Sequence, residues 1–368
     1  MRFALLLLIL FAPQDSSTPQ ERKDYVEKKV DGAIGSGLKA LETMQKSSGR
    51  FEWYGRAHHG ATGLALYTML ASGGSVNDPP AAKALDWLLK NPFPWSQRGD
   101  WDTYEISLVA VALSFAVPQM PASAARDRAM SILQRAADWL VSAQWKGGGW
   151  SYTSKPETHD HSNSQFGIMG LRAAVNAGVK ITTPVWEREV NHWKTAQLKD
   201  GGWGYHACYK DQTATGRSTS TMTAAGVMCL AMSLASAPKE RAPEDLAKDQ
   251  NIARGLVALK GHWDRTMVKN APINFYLLYS VERACMVTGS RLLGDLDWYV
   301  EGSYALIRAQ DPDGVWTLGQ DQVKDQCFAL LFLKRAYVPV RTPSNAKPAD
   351  PVTPPPQPLP PGRPREME

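Results

Sequence analysis

A Gly-x-aromatic step recurs six times along the 368-residue chain: Gly49-Arg50-Phe51, Gly99-Asp100-Trp101, Gly148-Gly149-Trp150, Gly201-Gly202-Trp203, Gly261-His262-Trp263 and Gly314-Val315-Trp316. Successive aromatics stand 50, 49, 53, 60 and 53 residues apart. At four of the steps a Gln precedes the Gly by four residues: Gln45, Gln144, Gln197 and Gln310. A period of that length marks an array of supersecondary units, none of which buries its apolar face alone.

Each interval holds two helical patterns. The segment before the glycine turn is amphipathic; in 132–144, Leu133, Ala136, Ala137, Leu140 and Val141 form the i, i+3, i+4 stripe. The segment after the turn is nearly uncharged, as in 106–116 and 218–238. A helix apolar on all sides is buried, and one with a polar face looks outward. Each repeat therefore reads as a hairpin with an outer first helix and an inner second helix, small residues letting the inner helices approach closely. An open array needs polar capping repeats, yet the last hairpin is as apolar as the others (Cys327-Phe328-Ala329-Leu330-Leu331-Phe332-Leu333). Closure is preferred. The expected fold is all-α, an (α/α)6 toroid over residues 25–340.

Composition bounds the rest. With 43% hydrophobic and 21% charged residues the chain can bury a large core, so disorder of the whole chain is excluded. Nucleic acid is excluded as a partner, because 41 basic residues face 36 acidic ones and no Lys/Arg run exceeds two. Arg2 followed by the apolar run Phe3 to Ala12 reads as an export signal over residues 1–17, too short to span a bilayer. The expected location is periplasmic or secreted, with membrane attachment only through an uncleaved signal. Residues 341–368, with Pro354-Pro355-Pro356 and Pro360-Pro361, read as an extended or disordered tail.

In a toroid every outer-to-inner turn lies on one rim, where the N-termini of the inner helices converge and favour an anion. His58, His59, His159, His161, His206 and His262 fall in or beside these turns, and His192 lies in an outer helix. The candidates for acid–base work are Asp160, His161, Tyr104 and Glu105, since His159-Asp160-His161 sets a carboxylate between two groups that titrate near neutrality. His59, Arg217, Asn274 and Tyr276 are the candidate ligand-binding residues. Several of these polar residues equally suit helix capping: Ser162-x-x-Gln165 and Asp102-x-x-Glu105 fit capping boxes, and Asp325 fits an N-cap. Closure would bring the sixth turn beside the first, so that His58, Asp325 and Cys327 could hold zinc across the seam.

The Gln144-x-x-x-Gly148-x-Trp150, Gln197-x-x-x-Gly201-x-Trp203 and Gln310-x-x-x-Gly314-x-Trp316 motifs resemble the QW repeats of squalene–hopene and oxidosqualene cyclases. Their helical toroid is shared by the β subunits of protein prenyltransferases. The resemblance implies that Gln and Trp tie neighbouring outer helices together, and that an apolar, isoprenoid-like small molecule or lipid occupies the central cavity. The Asp-x-Asp-Asp proton donor of the cyclases is missing; Asp295-Leu-Asp297-Trp298 and Asp311-Pro-Asp313-Gly314 lack its last Asp. Asp325-Gln-Cys327 is similar to the zinc-binding pair of protein farnesyltransferase, although no His follows it. Two other readings stay open. One is an exported glycan-active lyase or hydrolase with rim carboxylates drawn from Asp102, Glu105 and Asp160; the other is a non-catalytic scaffold.

Overall fold

A computed structural model describes residues 17–53, 58–93, 95, 101–154, 159–181, 184–206, 208–210, 213–237, 243–266, 272–317 and 321–335. The expected export signal, Ser17 apart, and the proline-rich segment lie outside the described residues. The described helices are α1 (Pro19–Thr43), α2 (His58–Ala71), α3 (Pro79–Lys90), α4 (Asp102–Ala116), α5 (Ala124–Ala143), α6 (His161–Asn176), α7 (Val185–Thr195), α8 (Ser220–Ser236), the single turn α9 (Pro243–Leu246), α10 (Gln250–Thr266), α11 (Phe275–Val287), α12 (Trp298–Ala309) and α13 (Gln322–Lys334). A two-stranded antiparallel ribbon, β1 (Cys208–Lys210) with β2 (Thr213–Thr215), is inserted between α7 and α8. No described helix is long and apolar enough to cross a membrane.

The architecture is the expected all-α toroid. Inner helices pack in the order α2, α4, α6, α8, α11, α13, and α13 returns to α2, so the ring closes. Outer helices lie over the grooves between inner ones: α5 touches α4 and α6, and α1 bridges the seam onto α12 and α13. Every residue of α8 from Thr221 to Ala235 is buried. In α5 the buried set is the predicted stripe of Leu133, Ala136, Ala137 and Leu140, extended by Ala129, Ile132 and Ala143; Val141 lies at its half-buried edge. Close approach of the inner helices depends on small residues. A Cβ on Gly63 would lie 2.8 Å from the Leu108 backbone, and one on Gly170 2.8 Å from Ser107 Cα.

Each part of the repeated motif has a mechanical role. Gln Nε2 donates across to a carbonyl of the next outer helix: Gln45 to Pro80 (2.8 Å), Gln144 to Val185 (3.1 Å) and Gln197 to Asn251 (2.8 Å). Gln310 closes the ring by donating to Ala33 of α1 at 2.9 Å. The motif glycines 49, 148, 201 and 314 have φ of +94°, +94°, +87° and +84°. A Cβ there would also stand 2.4–2.8 Å from a carbonyl oxygen of the next outer helix, so conformation and contact both require glycine. Each motif Trp donates Nε1–H to the carbonyl ten residues before it: Trp150 to Leu140, Trp203 to Trp193 and Trp316 to Leu306, at 2.7–2.8 Å. All three are fully buried.

Among the described residues, one of the Gly-x-aromatic steps departs from this scheme. Gly261-His262-Trp263 lies inside α10, with Gly261 outside the positive-φ set, so it is helix rather than turn. Gly99 and Asp100 lie outside the described residues. Gln310→Ala is expected to lower stability by about 0.5–1.5 kcal/mol, because the Ala33 carbonyl loses its side-chain donor across the seam while that of Gly314 keeps Gln326 Nε2 at 3.0 Å. Urea denaturation compared with the exposed control Gln134→Ala measures it.

Among the described residues, side chains meet across the ring below the rim. Gln165 of α6 donates to Ser280 of α11 at 3.3 Å, and Phe166 stacks 6.3 Å from Tyr279, although α8 separates these two helices in the ring. Tyr279 meets Phe328 of α13 at 4.3 Å, and Arg283 reaches Tyr67 Oη of α2 at 2.9 Å. These side chains are at most 2% exposed.

Candidate functional site

The inner-helix N-termini are largely satisfied from within the protein. Glu105 Oε2 accepts from His59 N (2.9 Å) and Gly60 N (3.1 Å), capping α2 from the neighbouring repeat rather than closing a box on its own helix. The N-cap of α6 is Asp160, not Ser162, and the N-cap of α13 is Asp321, not Asp325. Carbonyls of the following turns complete the set: Tyr152 O accepts from Thr103 N (3.2 Å), and Tyr205 O from His161 N (2.9 Å). Thr219 and Asn274 cap α8 and α11. At α2, α4, α6, α8 and α11 these acceptors take one or two of the N–H groups that an anion at the rim would need, whereas Asp321 makes no side-chain cap at α13.

A polar relay stands at the mouth. Tyr104 Oη donates to Ser162 Oγ at 2.6 Å, and Ser162 donates to Asp160 Oδ1 through a short hydrogen bond. Asn163 adds its N–H (3.0 Å) and its Nδ2 (3.1 Å) to the same oxygen. Burial holds the Tyr104 phenol well above its ordinary range. Tyr276 Oη donates to Gln165 Oε1 at 2.5 Å, beside the relay. Around these groups Trp53 and Trp101 lie 6.2 Å apart, Trp101 and Tyr152 5.7 Å, and Tyr104 and Tyr152 6.0 Å. Tyr152 is 37% exposed and Tyr205 42%. The sequence carries the signal for this rim: in three turns a second aromatic follows the motif aromatic by two residues (Phe51-x-Trp53, Trp150-x-Tyr152, Trp203-x-Tyr205). The first of each pair is buried and the second is half-exposed or exposed.

His161 is not at the mouth. It is fully buried, stacks on Trp193 at 4.4 Å and donates Nδ1–H to Gly204 O at 2.5 Å. Its Nε2 lies 3.1 Å from Nε2 of His192 on α7. The His159 ring is 4.6 Å from that of His192 and 5.3 Å from that of His161. Among the described residues, these three His form the one group of His, Cys, Asp or Glu side chains compact enough to share a metal, with one ligand atom of each inside 4.8 Å. Desolvation pushes His161 down to about 3 and His159 to about 4, and holds His192 well below its usual range. His192 lies in outer helix α7, as expected, and only the packing of α7 against the α6 terminus brings it to this group.

Beside His192 on α7, Glu189 is buried under donors from the Gly149 N–H, Gln144 Nε2 (2.8 Å) and Trp193 Nε1 (2.9 Å). Desolvation outweighs these donors and pushes its carboxyl up to about 7. The unfolded carboxyl titrates near 4.5, so between about 4.5 and 7 the folded state holds more proton. Its contribution is complete below that window and falls by up to about 1.4 kcal/mol per pH unit as pH rises through it. Glu189→Gln is expected to remove this decline, read as unfolding free energy across the window in wild type and variant.

The remaining candidates are dispersed. Cys327 is fully buried, its thiol bonded to Thr68 and pushed up to about 12 by burial. Thr68 lies ten residues, about 15 Å of helix, from His58. Asp325 lies 3.6 Å from Lys324. The structure therefore does not bring His58, Asp325 and Cys327 together as a zinc site. His59 is held by Asn91 O (2.9 Å) and packs on Trp87 and Phe93. Arg217 is exposed, and Asn274 is an exposed N-cap.

No protein-family model matches the chain, and no curated protein does. Solved structures do. An inactive variant of the α-1,6-mannanase GH76A from Salegentibacter sp. HEL1_6, in complex with α-1,6-mannotriose, superposes with a TM-score of 0.55 at 8% identity, over 83% of this chain and 98% of that one. A possible GH105 family member from Salmonella enterica serovar Paratyphi A gives 0.54 at 14% identity, over 91% and 98%. The type II terpene cyclase MstE from Scytonema gives 0.49 at 12% identity. This chain is an α/α toroid. At these identities the likeness is one of fold, and the QW-repeat family remains a resemblance of motif.

Proposed function

We propose that the mouth of this toroid binds carbohydrate. The observation that carries the reading is the contrast between side chains that meet across the ring below the rim and a rim of half-exposed aromatic faces around the buried Asp160–Ser162–Tyr104 relay. Sugar rings lay their C–H faces on aromatic planes and direct hydroxyls to groups such as carboxylate and phenol, and both are present here. Side chains that meet across the ring argue against an apolar ligand deep in it. A toroid of the same architecture holds α-1,6-mannotriose, with two consecutive aspartates replaced by asparagine in that variant. This chain has no two consecutive aspartates, so the reading extends to sugar binding and not to that enzyme's reaction. The reading of residues 1–17 as an export signal supports binding outside the cytoplasm, which N-terminal sequencing of the mature protein tests.

Calorimetric titration with α-1,6-mannotriose and a panel of neutral and acidic oligosaccharides tests the site. The expected result is saturable binding to at least one of them, weakened at least tenfold by Tyr152→Ala and by Trp101→Ala in folded protein. Absence of binding across the panel, with lipid retained in native mass spectrometry, would return the reading to an apolar ligand.

A further inference from the structure

We propose that His159, His161 and His192 form a site for one divalent transition-metal ion, with zinc the best fit, bridging the third and fourth repeats. Ring nitrogens bound to a tetrahedral zinc at about 2.0–2.1 Å stand about 3.3 Å from one another. The Nε2 atoms of His161 and His192 are already 3.1 Å apart, and a nitrogen of His159 completes a triangle no wider than 4.8 Å. The tautomer of His161 is fixed by chemistry. Gly204 O can only accept, so Nδ1 carries the proton and the Nε2 lone pair is directed at His192. A backbone carbonyl on the far nitrogen is how proteins commonly orient a metal-bound imidazole. Without a metal, the His161–His192 gap is bridged only by an N–H of His192.

All three imidazoles are buried. Asp160, between His159 and His161 in the chain, is held by Ser162 and Asn163 as the N-cap of α6, which fixes the backbone from which both His project. Gly149 keeps the space open: a Cβ there would stand 3.1 Å from His192 Nε2 and 3.2 Å from His159 Cβ. Two His at i and i+2 do not make a site alone; α7 delivers the third. An all-imidazole donor set suits Zn, Cu, Ni or Co, and excludes Mg and Ca, which take oxygen ligands. Three protein ligands leave one tetrahedral position for water or another small ligand.

The test is metal analysis of full-length protein purified without metal-affinity chromatography. About one zinc or other transition metal per chain is expected, removable by a strong chelator with a fall in melting temperature and restored by Zn(II) alone. Co(II) uptake is expected to give the visible d–d bands of a tetrahedral site. His192→Ala and His159→Asn should each lower retained metal at least tenfold. His206→Ala should not, since that side chain is exposed and its Nδ1 is bonded to the carbonyl of His159. If His192→Ala fails to fold, His159→Asn and competition of stripped wild type with a chromophoric chelator decide the matter. A folded, stripped wild type that takes up none of Zn(II), Co(II), Ni(II) or Cu(II) overturns the proposal, as does unchanged affinity in a folded His159→Asn variant. Metal is measured without any sugar, so this outcome is independent of the reading of the mouth.

Discussion

Trp203→Ala is expected to lower the unfolding free energy by about 3–5 kcal/mol, the cost of removing a large buried aromatic whose surroundings do not collapse. The surroundings here are unusually unable to collapse. The indole lies between two glycines, Gly226 of α8 and Gly255 of α10, where a Cβ would come within 2.3 and 2.8 Å of it. Neither has a side chain to move into the hole. The ring also stands edge-on to Trp193 at 6.3 Å and donates Nε1–H to its carbonyl at 2.8 Å, so truncation orphans a buried acceptor as well. Trp203→Phe separates the two contributions, since it fills most of the volume but loses the N–H, and a smaller loss of about 1–2 kcal/mol is expected. Urea midpoints at unchanged denaturant slope measure both. An alanine variant within 1 kcal/mol of wild type would show that the Trp is not a structural tie.

Arg283→Met is expected to cost about 3–5 kcal/mol, by leaving a buried carboxyl without its counter-charge. Arg283 is fully buried on α11, bonded to Glu282 through a short hydrogen bond, to Tyr67 Oη at 2.9 Å and to Tyr279 O at 3.2 Å. Its guanidinium lies 3.5 Å from the centre of the Tyr279 ring. Burial already pushes the Glu282 carboxyl up to about 7 despite the adjacent cation. Removing that cation forces protonation or unfolding. The double variant Glu282→Gln, Arg283→Met removes both charges and is expected to recover most of the loss, because a buried ion pair replaced as a pair is close to neutral. If the double variant is no more stable than the single one, the cost comes from the lost Tyr67 and Tyr279 contacts rather than from charge.

The helical hairpin was legible because its signals are local. The stripe of α5, the uncharged run of α8 and the glycine at each turn lie within one repeat, where 3.6-residue periodicity and positive φ act on neighbours in the chain. The tie between Gln and the next outer helix followed from the motif; the Trp Nε1 bonds instead run back to the preceding outer helix of the same hairpin, ten residues away. The capping assignments failed for the opposite reason. Glu105 was read against its own helix, where its spacing suits a box, yet it caps α2 because the neighbouring turn delivers two N–H groups to it.

What the sequence determined by itself is the number and polarity of the hairpins, and the places where only glycine or a buried Trp fits. What only the tertiary structure decided is which repeats exchange groups. Closure put Gln310 on Ala33, packing of α7 put His192 against His159 and His161, and packing across the ring put Arg283 on Tyr67. Each of these depends on the rotation between hairpins. That rotation is set by the summed packing of the inner helices and has no counterpart in the spacing of residues along the chain.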